Sequence, residues 1–143
     1  MTKYCTNSSY GYNGFTDNKA ELDLEDDAAY VNWGPEWRMP SQAQFAELIY
    51  SNYTTSTWTT QNGVHGLLIT SKSNGNSVFL PAAGSRDIFS LNGAGSSGHY
   101  WSRTLNEGSP SYAWLLGFGS GNIDTYHYDR YGGQSVRPVR ASE

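Results

Sequence analysis

The chain is poor in most of the features that lock or charge a small protein. It has one cysteine, Cys5, so no disulfide can form within it. That thiol reads as an incidental or upstream-pairing residue near a frayed end, with a thiolate nucleophile as the alternative. Charged residues make up 15% of the sequence, against about a quarter in ordinary domains. The net charge is −4 and lysine and arginine are nowhere clustered, which excludes nucleic acid as a partner, because phosphate contacts need grouped cations. No apolar run approaches the roughly 18 residues of a membrane helix, so no direct membrane insertion is expected. The opening "MTKYCTNSSY" has no apolar core of a signal peptide.

Catalytic and cofactor motifs are missing as well. There is no GxxxxGK[ST] phosphate loop, no HExxH zinc pattern and no GxSxG nucleophile elbow. His65, His99 and His127 lie in separate segments and read as surface or hydrogen-bonded residues. Gly93–Gly98, "GAGSSG", opens no helix and reads as a flexible loop. The acids Glu21, Asp23, Glu25, Asp26 and Asp27 lack the spacing of a calcium loop and read as a solvated helix face. No metal and no cofactor is expected, and no catalytic residue is singled out. Glu107, Asp124 and Asp129 are carboxylates available for glycoside hydrolysis, but nothing in the pattern pairs them.

What the chain does have is aromatic rings, 15% of its residues, with 11 Tyr, 5 Trp and 16 Gly. Many rings with little charge is the opposite of a disordered composition. A length of 143 residues predicts one domain over 1–143, with enough chain to bury a core. Residues 1–20 read as polar coil. A first helix is predicted from Asp23 or a neighbouring acid to Gly34, with Leu24, Ala28 and Val31 at helical spacing. Ser41 and Gln44 form a capping box ahead of Phe45, Leu48 and Ile49, which predicts a second helix of about ten residues. From Tyr53 onward the period becomes two. "TSTWTT", "VHGLLITS", "SVFLPAAG", "YWSRT", "YAWLLGFGSG" and "QSVRPVRA" read as short strands, with Asn62-Gly63 as a hairpin turn. Two early helices followed by an antiparallel sheet of short strands with long loops is an α+β pattern.

Residues 103–131 interleave two layers. Ala113, Trp114, Leu116, Phe118 and Ile123 are apolar. Arg103, Asn106, Glu107, Ser111, Tyr112, Asn122, Asp124, Tyr126, His127, Tyr128, Asp129 and Tyr131 are polar or amphipathic, and they dominate "DTYHYDRYGG" at 124–133. Such a decapeptide does not read as a core strand. Tyrosine offers wide contact area, few rotatable bonds and a hydrogen-bonding tip, the chemistry of paratopes and interface hot spots. These twelve residues are the candidate ligand-binding set. The plain alternative is that the rings pack on the sheet with only their hydroxyls exposed.

"WRMPSQAQFAELI", "GVHGLLITSKSNGNSVFLPAAGSR", "GHYWSRT" and "GQSVRPVR" resemble the Fibrobacter succinogenes major paralogous domain, a group of bacterial surface-type proteins, from about Asp23 to Arg140. That resemblance implies a C-type lectin-like fold, extracellular or cell-surface placement, and a place in the C-terminal part of a longer surface protein. The tail further resembles the variable region of diversity-generating retroelement targets. The likeness implies a framework of Tyr100, Trp101, Ser102, Ala113, Trp114, Phe118, Ser120, Gly133, Ser135, Val136, Arg137, Pro138 and Val139. It also implies variable positions at Ser111, Tyr112, Gly117, Gly119, Asn122, Asp124, Tyr126, His127, Tyr128, Asp129 and Tyr131. The function implied is non-enzymatic display of a binding face, 103–131, toward a protein or glycan. Alternatives are a structural module of a surface protein, or a glycan-acting enzyme. The E-P-N, Q-P-D and W-N-D calcium tripeptides of sugar-binding lectins are not present, nor is the cysteine pair of the related formylglycine-generating oxidase.

Overall fold

Asp27, rather than Asp23, starts the first helix. Its buried carboxylate accepts from the backbone N–H of Ala29 (2.9 Å) and Tyr30 (3.1 Å), and from that of Met39 (3.0 Å) across the following loop. A side chain holding three backbone donors outweighs a weak apolar stripe. The computed structural model, which describes residues 1–142, accordingly places α1 at Ala28–Trp33, after a single tight turn at Leu24–Asp26. Leu24 and Val31 are exposed and only Ala29 of α1 is buried, so the expected stripe does not face a core. Asp27 is therefore a cap and not part of a solvated acidic face.

The second helix, α2 at Gln42–Leu48, is shorter than expected but starts as predicted. Ser41 Oγ accepts from Gln44 N–H (3.1 Å) and Gln44 Oε1 accepts from Ser41 N–H (2.9 Å). Between the helices lies β1, Trp37–Arg38. After α2 come β2 (Thr54–Gln61), β3 (Val64–Ser71) and β4 (Ser77–Pro81), an antiparallel sheet in the order β2-β3-β4. Asn62 and Gly63 both adopt positive φ, 49° and 79°, which a two-residue hairpin turn of this hand requires. A small hairpin, β5 (Ser85–Arg86) with β6 (Leu91–Asn92), follows.

The second three-stranded antiparallel sheet is β7 (Gly98–Leu105), β8 (Tyr112–Phe118) and β9 (Ile123–Asp129), in that order. The decapeptide thus begins within a strand, against expectation. An edge strand needs partners on one side only, and Tyr and Thr favour extended backbone as strongly as aliphatics do. The predicted last strand shrinks to β10, Val139–Arg140, which pairs with β1 between the two helices. Ser135 instead bridges β7, donating to His99 O and accepting from Trp101 N–H, both at 2.9 Å.

Two clusters hold these parts. Phe45 of α2, Leu67, Ile69 and Leu80 of the first sheet, and Tyr100, Leu116 and Phe118 of the second meet in the main core. At roughly 1.5–3 kcal/mol per buried large apolar side chain, this cluster supplies most of the driving force. The second cluster joins Tyr4 to Leu105 and Ala113, with Leu22 and Trp101 beside it. The amino-terminal segment is therefore packed and not frayed. Cys5 is fully buried with its thiol donating to Asn7 O (3.1 Å), and the Asp17 carboxylate receives the N–H of Tyr4 and of Cys5. Burial of this kind removes the thiol from the reagents a nucleophile must meet. The whole is an α+β arrangement of antiparallel sheets with two short helices, and no helix among the described residues is long and apolar enough to cross a membrane.

Candidate functional site

The β8–β9 register decides which rings reach solvent. Leu115 lies opposite Tyr126, Ala113 opposite Tyr128 and Gly117 opposite Asp124. Directly opposed residues share a face. One face of the sheet therefore carries Ala113, Leu115, Gly117, Asp124, Tyr126 and Tyr128, joined from β7 by His99 and Trp101, which oppose Gly117 and Leu115. The other face carries Leu116, Phe118 and Ile123, turned into the main core against α2. Tyr126 and Tyr128 are 36% and 50% exposed, while Leu115, on the same face, and Leu116, on the core face, are fully buried.

Gly117 makes this arrangement possible. A Cβ built there would stand 2.8 Å from Tyr126 Cδ2, so the ring lies flat across the glycine. Tyr126, Tyr128, His99, Asn122 and the Ser96–Ser97 turn then border a cup of about 470 Å³. His99 stands edge-on to Tyr128 at 6.2 Å between ring centroids. Its Nδ1 is buried with no hydrogen-bond partner, and burial pushes its pKa below the ordinary 6.5, so the ring is neutral at physiological pH. Asn122 Nδ2 donates to the Tyr126 hydroxyl at 3.4 Å. Phe118 and the tyrosine rings are the apolar part of a lining that is otherwise hydroxyl, amide, imidazole and glycine backbone, so the cup can stack on a ligand's flat surface and bond its polar edges.

The remaining residues of the candidate set are spread over several surroundings. His127 and Tyr112 sit on the opposite face at its open end. The His127 ring stacks obliquely on Tyr112 (5.4 Å) and edge-on to Trp114 (5.2 Å). Asp129 opposes Tyr112 there. Tyr131 follows in the turn at 77% exposure, its phenol pKa raised by hydrogen bonding to Asp129. Ser111 is half-buried, its carbonyl accepting from Arg130 N–H (3.0 Å).

Arg103, Asn106 and Glu107 are placed away from the cup. The Arg103 guanidinium donates to Met39 O (2.8 Å) and Gln44 Oε1 (3.4 Å) and pairs with Glu21 (3.4 Å), clamping β7 to the start of α2. Asn106 Oδ1 accepts from Gly108 and Ser109 N–H, which shapes the β7–β8 turn. Glu107 is exposed there, its carbonyl accepting from Thr6. Asp124 and Asp129, five positions apart on one strand, point to opposite faces and do not converge on one bond.

Ser96, Ser97, His99 and residues 117–120 at the end of β8 line the cup and lie outside the candidate set. His99 carries no local sign of its role, which depends on strand register. Ser96 and Ser97 lie in the glycine-rich loop. Of the implied framework, Tyr100, Ser102, Ala113 and Phe118 are buried, whereas Trp101, Trp114 and Val136 are only half-buried and Ser120, Gly133 and Arg137 are exposed. Burial pushes the Tyr100 pKa up to about 12, and its hydroxyl donates to Pro81 O (2.6 Å), tying the two sheets together. The one acidic cluster among the described residues, Asp23, Glu25 and Asp26, is filled by the Lys3 ammonium.

Fold and face together define an α+β domain of antiparallel sheets with a tyrosine-rich edge strand held outward over a buried floor. The chain belongs to the DUF8237 family, described as a domain of unknown function, which matches residues 68–139. That span runs from within β3 into β10 and includes the whole cup. No curated protein and no solved structure matches the chain.

Proposed function

We propose that this DUF8237 chain is a non-enzymatic recognition domain, in which a C-type lectin-like scaffold displays the outer face of β9 and its flanking turns to a protein or glycan outside the cell. One observation carries the reading: Tyr126 and Tyr128 stand exposed on the face opposite the main core, over the fully buried Leu115. Stability and recognition are thereby assigned to different side chains of the same strands. Large rings with hydrogen-bonding tips, set among Ser, Asn and Gly, give contact area at low entropy cost.

The likeness to diversity-generating retroelement targets extends the reading. Asn122, Asp124, Tyr126, His127, Tyr128 and Tyr131, all implied to vary, are exposed. Exposed substitutions cost within about 0.5 kcal/mol, so such positions tolerate exchange. Gly117 fits that scheme less simply. It is buried under Tyr126, so a side chain there moves the ring and does not itself reach solvent.

The test is selection of binders to the wild-type domain from a glycan microarray and a displayed-peptide library, followed by Y126A/Y128A/Y131A. The expected result is a loss of about tenfold or more in affinity with a cooperative melting transition retained. Unfolding of the triple variant, or selected ligands indifferent to it, would return the domain to the structural-module reading.

A further inference from the structure

A larger groove, of about 890 Å³, lies between α2, the β3–β4 end of the first sheet and residues 137–139, and shares no residue with the tyrosine cup. Its origin is a packing shortfall. Phe45 and Leu80 turn into the core, but Leu48 and Val78 are only half-buried beside them, and Val139 closes the trough without filling it. The volume and apolar lining are those of a small-molecule site, which typically adds a few placed polar groups.

The polar groups along it include two cations beside neutral side chains and one acid. Lys72 and Arg137 both line the groove, and neither forms an ion pair with a carboxylate among the described residues. Lys72 Nζ donates to Ser51 O (2.6 Å), and Arg137 reaches Phe79 O only at 3.5 Å, the limit of a hydrogen bond. In a chain with 13 acidic and 9 basic residues, two unpaired cations beside one apolar trough are a local reversal of charge. The acid that lines the groove, Glu47, is on α2 and disfavours an anion on the helix side.

We infer that this groove binds an amphiphilic carboxylate, its apolar body lying along Leu48, Val78 and Val139 and its head group between Lys72 and Arg137. The volume suits a chain on the order of ten carbons. Lysine supplies a point charge and arginine a planar fork of donors, and each attracts a carboxylate.

The experiment titrates the intact chain with decanoate and, separately, with uncharged decanol, reading heat and backbone amide shifts. Saturable one-site binding of decanoate is expected, with shifts at Leu48, Val78 and Val139 and with decanol about tenfold weaker or more. K72Q/R137Q, verified as folded by circular dichroism, should lower decanoate affinity about tenfold and leave decanol unchanged. Three outcomes would overturn the inference. One is no saturable decanoate binding. Another is equal affinity for both probes that the double variant does not alter. The last is a sedimenting dimer whose dilution shifts the same amides, which would make a second copy of the chain the occupant.

Discussion

The two three-stranded sheets solve the same packing problem with different chemistry. In β2-β3-β4, Gly66 on the central strand is covered by the ring of Phe79, whose Cζ would stand 2.6 Å from a Cβ at that glycine. In β7-β8-β9, Gly117 on the central strand is covered by the ring of Tyr126 in the corresponding diagonal position. An aromatic ring laid over a strand glycine restores the contact surface that the missing side chain gives up. Phe79 does this with hydrocarbon alone. Tyr126 does it while holding out a hydroxyl beside Asn122 and a neutral His99. One device closes a wall and the other, with a single added oxygen, leaves a hydrogen-bonding group at the surface.

The comparison can be broken most severely at Gly66. Gly66→Ala would drive its methyl against the Leu80 carbonyl oxygen as well as the Phe79 ring, and backbone cannot step aside. A loss of about 1–3 kcal/mol is expected by urea denaturation. Next comes the exchange of the covering rings. Phe79→Ala should cost about 1–2 kcal/mol, below the range for a fully buried ring because Phe79 is half-buried, and Tyr126→Ala should cost less than Phe79→Ala. Equal losses in the two variants would show that Tyr126 is as structural as Phe79.

Gly117→Ala is the finer probe. Its methyl meets only side-chain atoms of Tyr126 and His99, which can rotate away. The expected cost is below about 1 kcal/mol, with aromatic proton shifts of Tyr126 and altered ligand selection as the larger readout. A cost matching that of Gly66→Ala would mean the tyrosine ring is fixed in place.

The smallest effect is the pH dependence of His99. Burial lowers its folded pKa below the ordinary 6.5, so the unfolded chain takes up a proton first as the pH falls. The stability tied to the neutral ring is full above that value and is lost as the pH drops toward the folded pKa. Melting curves between about pH 8 and pH 5 should show a decline that His99→Gln reduces. An unchanged slope in the variant would place the titrating group elsewhere.

Much of the scaffold is legible in the sequence. The Ser41–Gln44 capping box and the Asn62-Gly63 turn are local devices whose hydrogen bonds and dihedrals involve neighbours in sequence, so short-range chemistry predicts them. The strand at β9 was not legible, because its tyrosines give a mixed polar and aromatic pattern and not a simple alternation of apolar and polar residues. The packed amino terminus escaped for a related reason. Tyr4 and Cys5 are buried by Leu105, Ala113 and the Asp17 carboxylate, which lie far away along the chain. The candidate site was partly legible. Composition pointed to the tyrosines, but the division of Tyr126 and Tyr128 from Tyr112 and His127 follows from parity within a strand whose existence was not foreseen.

The sequence by itself determined the tyrosine-rich composition of residues 124–131, the α+β class of the fold and the local starts and turns of its elements, because these depend on residues a few positions apart. Only the tertiary structure decided which tyrosines share a face, that His99 stands among them, and that Lys72 and Arg137 border one trough. Those outcomes depend on register between strands and on contacts between segments up to about a hundred residues apart, for which loop closure costs entropy that no local pattern records.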